Sequence, residues 1–361
     1  MHKNHSLAQH PYPFHDHKGI NPYWRGIRDT LWAGRLVFNA FLLYIFAVMI
    51  VAQAARVPLD FFSFTLQYGP FLLALLVMWV VISAGAQVLR HKPDGSALVA
   101  FWQAVRHSFT PGMVKSILMM PLMMIFIQAF LTAKSMLPIL FDFTWDRQLA
   151  DLDRAIHGGH DPWTLLQPIL GHESITFALE LIYSAVWLCA VLLFPLIMTF
   201  QIHGRRLRHR YYFTYITCWF LLGNVLAGFF LSGGPCYYDV FTGDTARFAA
   251  QEAYLRSFGD HTLSAVGLKE ILLQALRSGR GNEVGGISAF PSMHISMATL
   301  FACICFNLNR WLFAGAVLFV ITIVLASIHL GWHYAIDGYA AIILTTLIWW
   351  FYGKVMPPQH H

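Results

Sequence analysis

An all-α, polytopic membrane bundle of about eight spanning helices is predicted by three features of this chain. Only 12% of its 361 residues are charged, while 57% are hydrophobic and 16% aromatic. Soluble domains carry about 25% charged residues. Apolar stretches long enough to cross the hydrocarbon core, which takes roughly 20 helical residues, recur along the chain. Together these exclude a soluble α/β enzyme. The net charge of +6 falls in short clusters between apolar segments, so it reads as membrane topology and not as a nucleic-acid surface.

In chain order, residues 1–30 read as a polar cytoplasmic tail without the basic-then-apolar order of a signal peptide. Residues 31–135 hold N-terminal spans at 36–54, 70–89 and 115–133. Residues 136–356 form the second unit, with spans at 176–201, 212–232, 292–308, 311–328 and 338–355. Glu180 and Asn224 fall inside spans and read either as interhelical hydrogen-bonding groups, the favoured role, or as lining of a substrate path.

The connections fix orientation. Arg25, Arg28, Arg35, Arg90, Lys92, Arg106, Arg205, Arg206, Arg208, Arg210, Arg310 and Lys354 share one side if there are eight spans. The opposite side carries Asp142, Asp146, Asp151 and Asp153. The positive-inside rule then puts both termini in the cytoplasm. Within the outer connection 134–175, WDRQLADLDRAIHGGHDPWTLLQPIL has Leu and Ile at helical spacing, predicting an amphipathic helix on the membrane surface. The outer connection 233–291 is long and polar. Cys189, Cys218, Cys303 and Cys305 fall in spans, leaving only Cys236 in a long loop, so no disulfide framework is expected.

Two segments carry chemistry: VGGISAFPSMHISM (284–297) and SIHLGWHYAIDG (327–338). The topology, built from charge alone, puts both on the outer face. Phosphoryl transfer through a covalent intermediate needs a nucleophile, a group that orients it and an acid for the leaving oxygen. His333 and Asp337 are four residues apart and share a helix face, so the carboxylate can hold one ring N–H. The span pair between the two segments brings His294 back to the same side. Ser292 and the backbone N–H groups from Gly285 and Gly286 to Ala289 are candidates to cradle phosphate oxygens.

PSMH followed by HYAID resembles the type-2 phosphatidic acid phosphatase superfamily. The resemblance implies a six-helix core preceded by extra helices. It implies that His294 protonates the leaving group, His333 is the nucleophile, Asp337 orients it and Ser292 helps bind phosphate, with no metal and no cofactor. Three features resemble more closely the inositol phosphorylceramide synthase branch. They are Asp151-x-Asp153…Gly158-Gly159…Pro162-Trp163, then SGGPCYYD at Ser232–Asp239, then GGISAFPSMH itself. Together they cover roughly residues 140–345.

The chain departs from the superfamily pattern in its cations. No Lys-x6-Arg-Pro string precedes the second motif, and Ala326-Ser327 stands where the pattern has an arginine before the last histidine. Fewer fixed cations suit the single charge of a phosphodiester better than the near-double charge of a monoester. Arg247, Lys269, Arg277 and Arg280 in the outer loop are candidates to restore charge, and Tyr238, Asp239 and His329 to line the site. The expected partners are a membrane phospholipid donor and a lipid hydroxyl, or water, as acceptor. The expected site face is extracytoplasmic, periplasmic in a bacterium and luminal in a eukaryote. Two rivals follow: a lipid phosphate or polyprenyl diphosphate phosphatase, and a non-enzymatic transporter.

Overall fold

The computed structural model describes residues 22–60, 62–91, 96–108, 111–199, 204–258, 264–279 and 285–356. Among them every regular element is a helix. Seven helices are long and apolar enough to cross a membrane. They are α1 (Pro22–Ala54), α2 (Ser63–His91), α4 (Pro111–Leu140), α7 (Glu173–Thr199), α8 (Arg205–Phe229), α13 (Arg310–His329) and α14 (Ala335–Val355). The eighth expected span is the shorter α12 (Met293–Phe306). At 1.5 Å per residue it covers only about 21 Å. Large apolar side chains such as Leu43, Leu66 and Leu318 point outward from the spans, as a lipid-facing surface requires.

Three expectations are corrected. Helix α1 begins at Pro22, inside the stretch read as tail, because proline at the first helical position leaves no orphan N–H and is preset in φ. The third span does not stop at residue 133. It continues through Lys134 to Leu140, because that lysine faces an internal cavity and not lipid. A further helix, α3 (Ala97–Ser108), joins α2 to α4 where a loop was expected.

The N-terminal helices are built into the bundle. Phe41 on α1 meets Phe126 on α4 edge-on at 4.8 Å, and Phe130 meets Trp219 on α8 at 4.4 Å. Tyr44 donates to Asn224 Oδ1 at 2.7 Å, so Asn224 is the interhelical acceptor its position suggested.

The two long connections of the second unit fold into short helices: α5 (Asp146–Ile156), α6 (Pro162–Leu170), α9 (Tyr238–Thr242), α10 (Ala249–Arg256) and α11 (Ala265–Arg277). Helix α5 is amphipathic as expected, but its buried face holds Asp146 and Asp153 beside Leu149 and Ala150. Leu152 and Ile156 are left exposed. The carboxylates turn inward because backbone N–H groups wait there.

Candidate active site

The two motif segments start two neighbouring helices. Ser292 is the N-cap of α12, its hydroxyl accepting from Ile295 N–H at 3.5 Å, which leaves His294 in the first turn. Ser292 N–H donates to the Asp337 carbonyl at 3.3 Å, tying the two helix starts together. The turn before α14 is closed by Trp332 and His333 N–H groups on the Ser327 carbonyl at 3.0 and 3.2 Å.

Across this junction the His294 and His333 rings lie 6.5 Å apart, centroid to centroid. His333 Nδ1 lies 3.3 Å from Asp337 Oδ2, which also accepts Tyr334 N–H at 3.0 Å. Burial, and then the nearby Lys134 charge, push His333 down to about 3, against the opposing pull of the Ala289 carbonyl. The cationic form of the ring is disfavoured, and His333 and Asp337 meet as a hydrogen-bonded pair. His294 is stacked between Tyr183 at 4.1 Å and Trp187 at 3.8 Å, and the Trp187 indole N–H donates to the His294 carbonyl at 3.0 Å. Tyr183 belongs to a π-helical turn, Ile182–Val186, an irregularity frequent at functional sites. Both histidines line one cavity of about 460 Å³.

Residues 147–351 match the family model described as the PAP2 superfamily. The chain belongs to the PAP2 superfamily. No curated protein and no solved structure matches it. Superfamily members are phosphatases and phosphotransferases, so this is a membrane enzyme of that type, and the superfamily points to lipid phosphates as substrates. Among the described residues no group of three or more His, Cys, Asp or Glu is placed to hold a metal ion.

Other residues named from the sequence are distributed unevenly in this PAP2 member. Gly286 lines the cavity, as do Ile287 and Ser288. Gly285 precedes them with φ +97°, a conformation suited to glycine. Ala289 N–H is taken by the Ser232 carbonyl. Arg277 and Asp239 line a different cavity, beside Glu252 and Lys269. Arg280 lies outside the described residues. Tyr238 is buried away from the histidines against Phe248 and Arg247. His329 is fully buried, with Nε2 at 2.9 Å from Thr176 Oγ1, and its carbonyl accepts from Gln251. Arg247 is occupied by Asp161 and Asp151, and Lys269 by Glu252.

The sequence marked Asp153 within a family resemblance and Asp146 by its charge, without the task both have in holding the PAP2 motifs in register. Asp146 accepts Gly233 and Gly234 N–H groups and the Tyr334 hydroxyl. Asp153 accepts Ala335 and Ile336 N–H groups at 2.9 and 3.1 Å, capping α14 from another helix. Burial raises both carboxyls, and these hydrogen bonds counter only part of the rise. Asp161 goes the other way: Arg247 and Arg154 overcome its burial and hold it below the usual carboxylate range. Asp146 and Asp153 stand seven residues apart, two helical turns, on the same face as Leu149 and Ala150, and that spacing was the available signal. Gly234, at φ +85°, lets this loop approach the motif turn, since a Cβ there would lie 2.5 Å from the Trp332 carbonyl oxygen.

Proposed function

We propose that this protein moves a phospho-head group, of the inositol phosphate type, from a phospholipid to a lipid hydroxyl through a phosphohistidine on His333. The observation that carries this reading is the His294–His333 pair, 6.5 Å apart across one cavity with Asp337 on the far side of His333. That separation suits one phosphoryl group between the rings. The free nitrogen of neutral His333 attacks phosphorus as the bond to the diacylglycerol oxygen breaks. His294, protonated once the negative charge of the bound phosphate stands beside it, gives that oxygen its proton. Asp337 holds Nδ1–H and offsets the charge the ring acquires. An acceptor hydroxyl then gives its proton to His294 and attacks phosphorus, the P–N bond breaks, and His333 is restored.

Transfer to an alcohol in preference to water is favoured by the cavity wall. Phe64, Leu131, Leu268, Ile271 and Leu272 make much of it apolar, which excludes water and admits acyl chains. The extracytoplasmic face is favoured by charge. Arg206 and Arg210 bond the Gly353 and Trp349 carbonyls at the end of α14 away from Asp337, and the positive-inside rule assigns that end to the cytoplasm.

The test is purified enzyme with phosphatidylinositol, phosphatidylglycerol or a polyprenyl diphosphate, each with and without ceramide or diacylglycerol. His333→Ala serves as control, and products are read by lipid mass spectrometry and free phosphate. A new head-group-bearing lipid that needs both acceptor and His333 supports the proposal. Phosphate released without acceptor, at the same rate with it, sinks the transferase reading in favour of a phosphatase.

A further inference from the structure

The motif strings carry too few cations for a phosphate site, and the cavity contains one that neither those strings nor the family match includes. Lys134 lies on α4, before the matched segment 147–351. Its side chain lines the same cavity as His294, His333, Gly286 and Ser288.

A lysine inside a membrane span is costly unless it has a partner or a task. Among the described residues no carboxylate forms an ion pair with Lys134. The outer cations differ. Arg154 and Arg247 are held by Asp161, and Arg256 and Lys269 by Glu252. The glycine loop also holds Lys134 in place. A Cβ at Gly286 would lie 2.2 Å from the Lys134 carbonyl oxygen, so only glycine lets that loop rest directly on α4.

We propose that Lys134 binds the phosphoryl oxygens of the lipid phosphate, supplying from the N-terminal helices the charge that the second and third motifs lack. This rests on the phosphoryl-transfer reading above. Lys134 is the cation that meets the phosphodiester charge, while Glu180, a carboxylate of the same lining, accepts the Ala265 N–H; this puts the N-terminal helices within the substrate site and not merely around it. An ammonium with three donors on a flexible stem can follow the phosphorus as it passes from donor to His333 to acceptor.

Orthovanadate, a phosphate mimic, tests the binding role without knowledge of the natural lipid. Purified protein in detergent is titrated with vanadate and its thermal unfolding midpoint is followed, since a ligand that binds only the folded state raises it. Lys134→Met keeps the stem and removes the charge. It weakens the apparent vanadate affinity about ten- to hundredfold, the loss expected for a charged hydrogen bond. Lys134→Arg keeps most of the affinity. Without vanadate, Lys134→Met unfolds no lower than wild type, because no ion pair is lost. In phosphatidylinositol turnover its KM rises more than its kcat falls.

Wild-type vanadate affinity in Lys134→Met overturns the proposal, and so does an arginine variant as defective as the methionine one, which would mark a packing role. If either result accompanies loss of turnover in His333→Ala, the Lys134 role fails and the phosphoryl-transfer reading stands. If wild type gains no protection from vanadate, both fail.

Discussion

The Asp153 carboxylate accepts the Ala335 N–H at 2.9 Å, so α5 caps the helix that carries Asp337. Ala335 is two residues from His333 and two from Asp337. Whatever moves α5 therefore moves the His333–Asp337 pair.

Asp153→Ala leaves two buried N–H groups at the start of α14 without an acceptor. It lowers kcat by about 10- to 100-fold through misplacement of His333, and stability falls by about 1–3 kcal/mol. Asp153→Asn keeps a carbonyl oxygen and recovers part of the rate. Steady-state kinetics with a thermal melt on the same preparations check this. A kcat unchanged in the alanine variant rules out the coupling.

Arg247 ties α5 and the segment after it to the second outer loop through Asp151, Asp161 and the Ala150 carbonyl. Its side chain and that of Asp161 are both buried. Arg247→Ala leaves Asp161 with Arg154 alone and removes the bonds to Asp151 and the Ala150 carbonyl, at a cost of about 1–3 kcal/mol. Arg247→Lys does not rescue, because one ammonium cannot reproduce the forked contacts. Denaturation midpoints of the two variants against Arg154→Ala/Arg247→Ala decide the matter: the double variant, which leaves Asp161 with neither arginine, is less stable than Arg247→Ala.

His333 has a folded-state pKa of about 3, below its ordinary value of 6.5. Between those values the unfolded chain binds the proton more readily than the folded one, so stability rises with pH there. The contribution is fully present above about pH 6.5 and is lost as pH falls toward 3. Wild type therefore destabilises on acidification from pH 6.5 to 5, and His333→Asn does so less steeply. Melting curves at intervals of half a pH unit test this; parallel curves for the two proteins would remove His333 as the cause.

Gly286→Ala places a methyl group against the Lys134 carbonyl. The loop lifts from α4, at a cost of about 1–3 kcal/mol, and activity falls further than stability because the cavity wall shifts. Gly243→Ala is the comparison. A Cβ there meets no heavy atom within 4 Å, although its φ of +75° strains any side chain. Its melting point falls, and its kcat stays near wild type.

Much of this architecture was legible without coordinates, for reasons specific to membranes. Residues 310–329 have to form one helix, because an apolar run in lipid must satisfy its own backbone. His333 and Asp337 announce each other by their spacing of four. Lys134 was hidden by the same rule that revealed the spans, since a charge marks the end of an apolar run unless a cavity receives it. Asp146 and Asp153 were hidden because their partners are backbone N–H groups far along the chain, and backbone leaves no mark in a sequence. His329, one turn before His333, shows the converse: its proximity in sequence is real, yet its ring turns to Thr176.

The amino-acid sequence by itself determined the helices, their order and the motif residues, because hydrophobic length and i, i+4 spacing are local quantities. The tertiary structure alone decided which buried charges serve the cavity. Lys134 shares a cavity with His333, and Asp153 accepts the Ala335 N–H at 2.9 Å, across long stretches of chain that only the packing of the helices brings together.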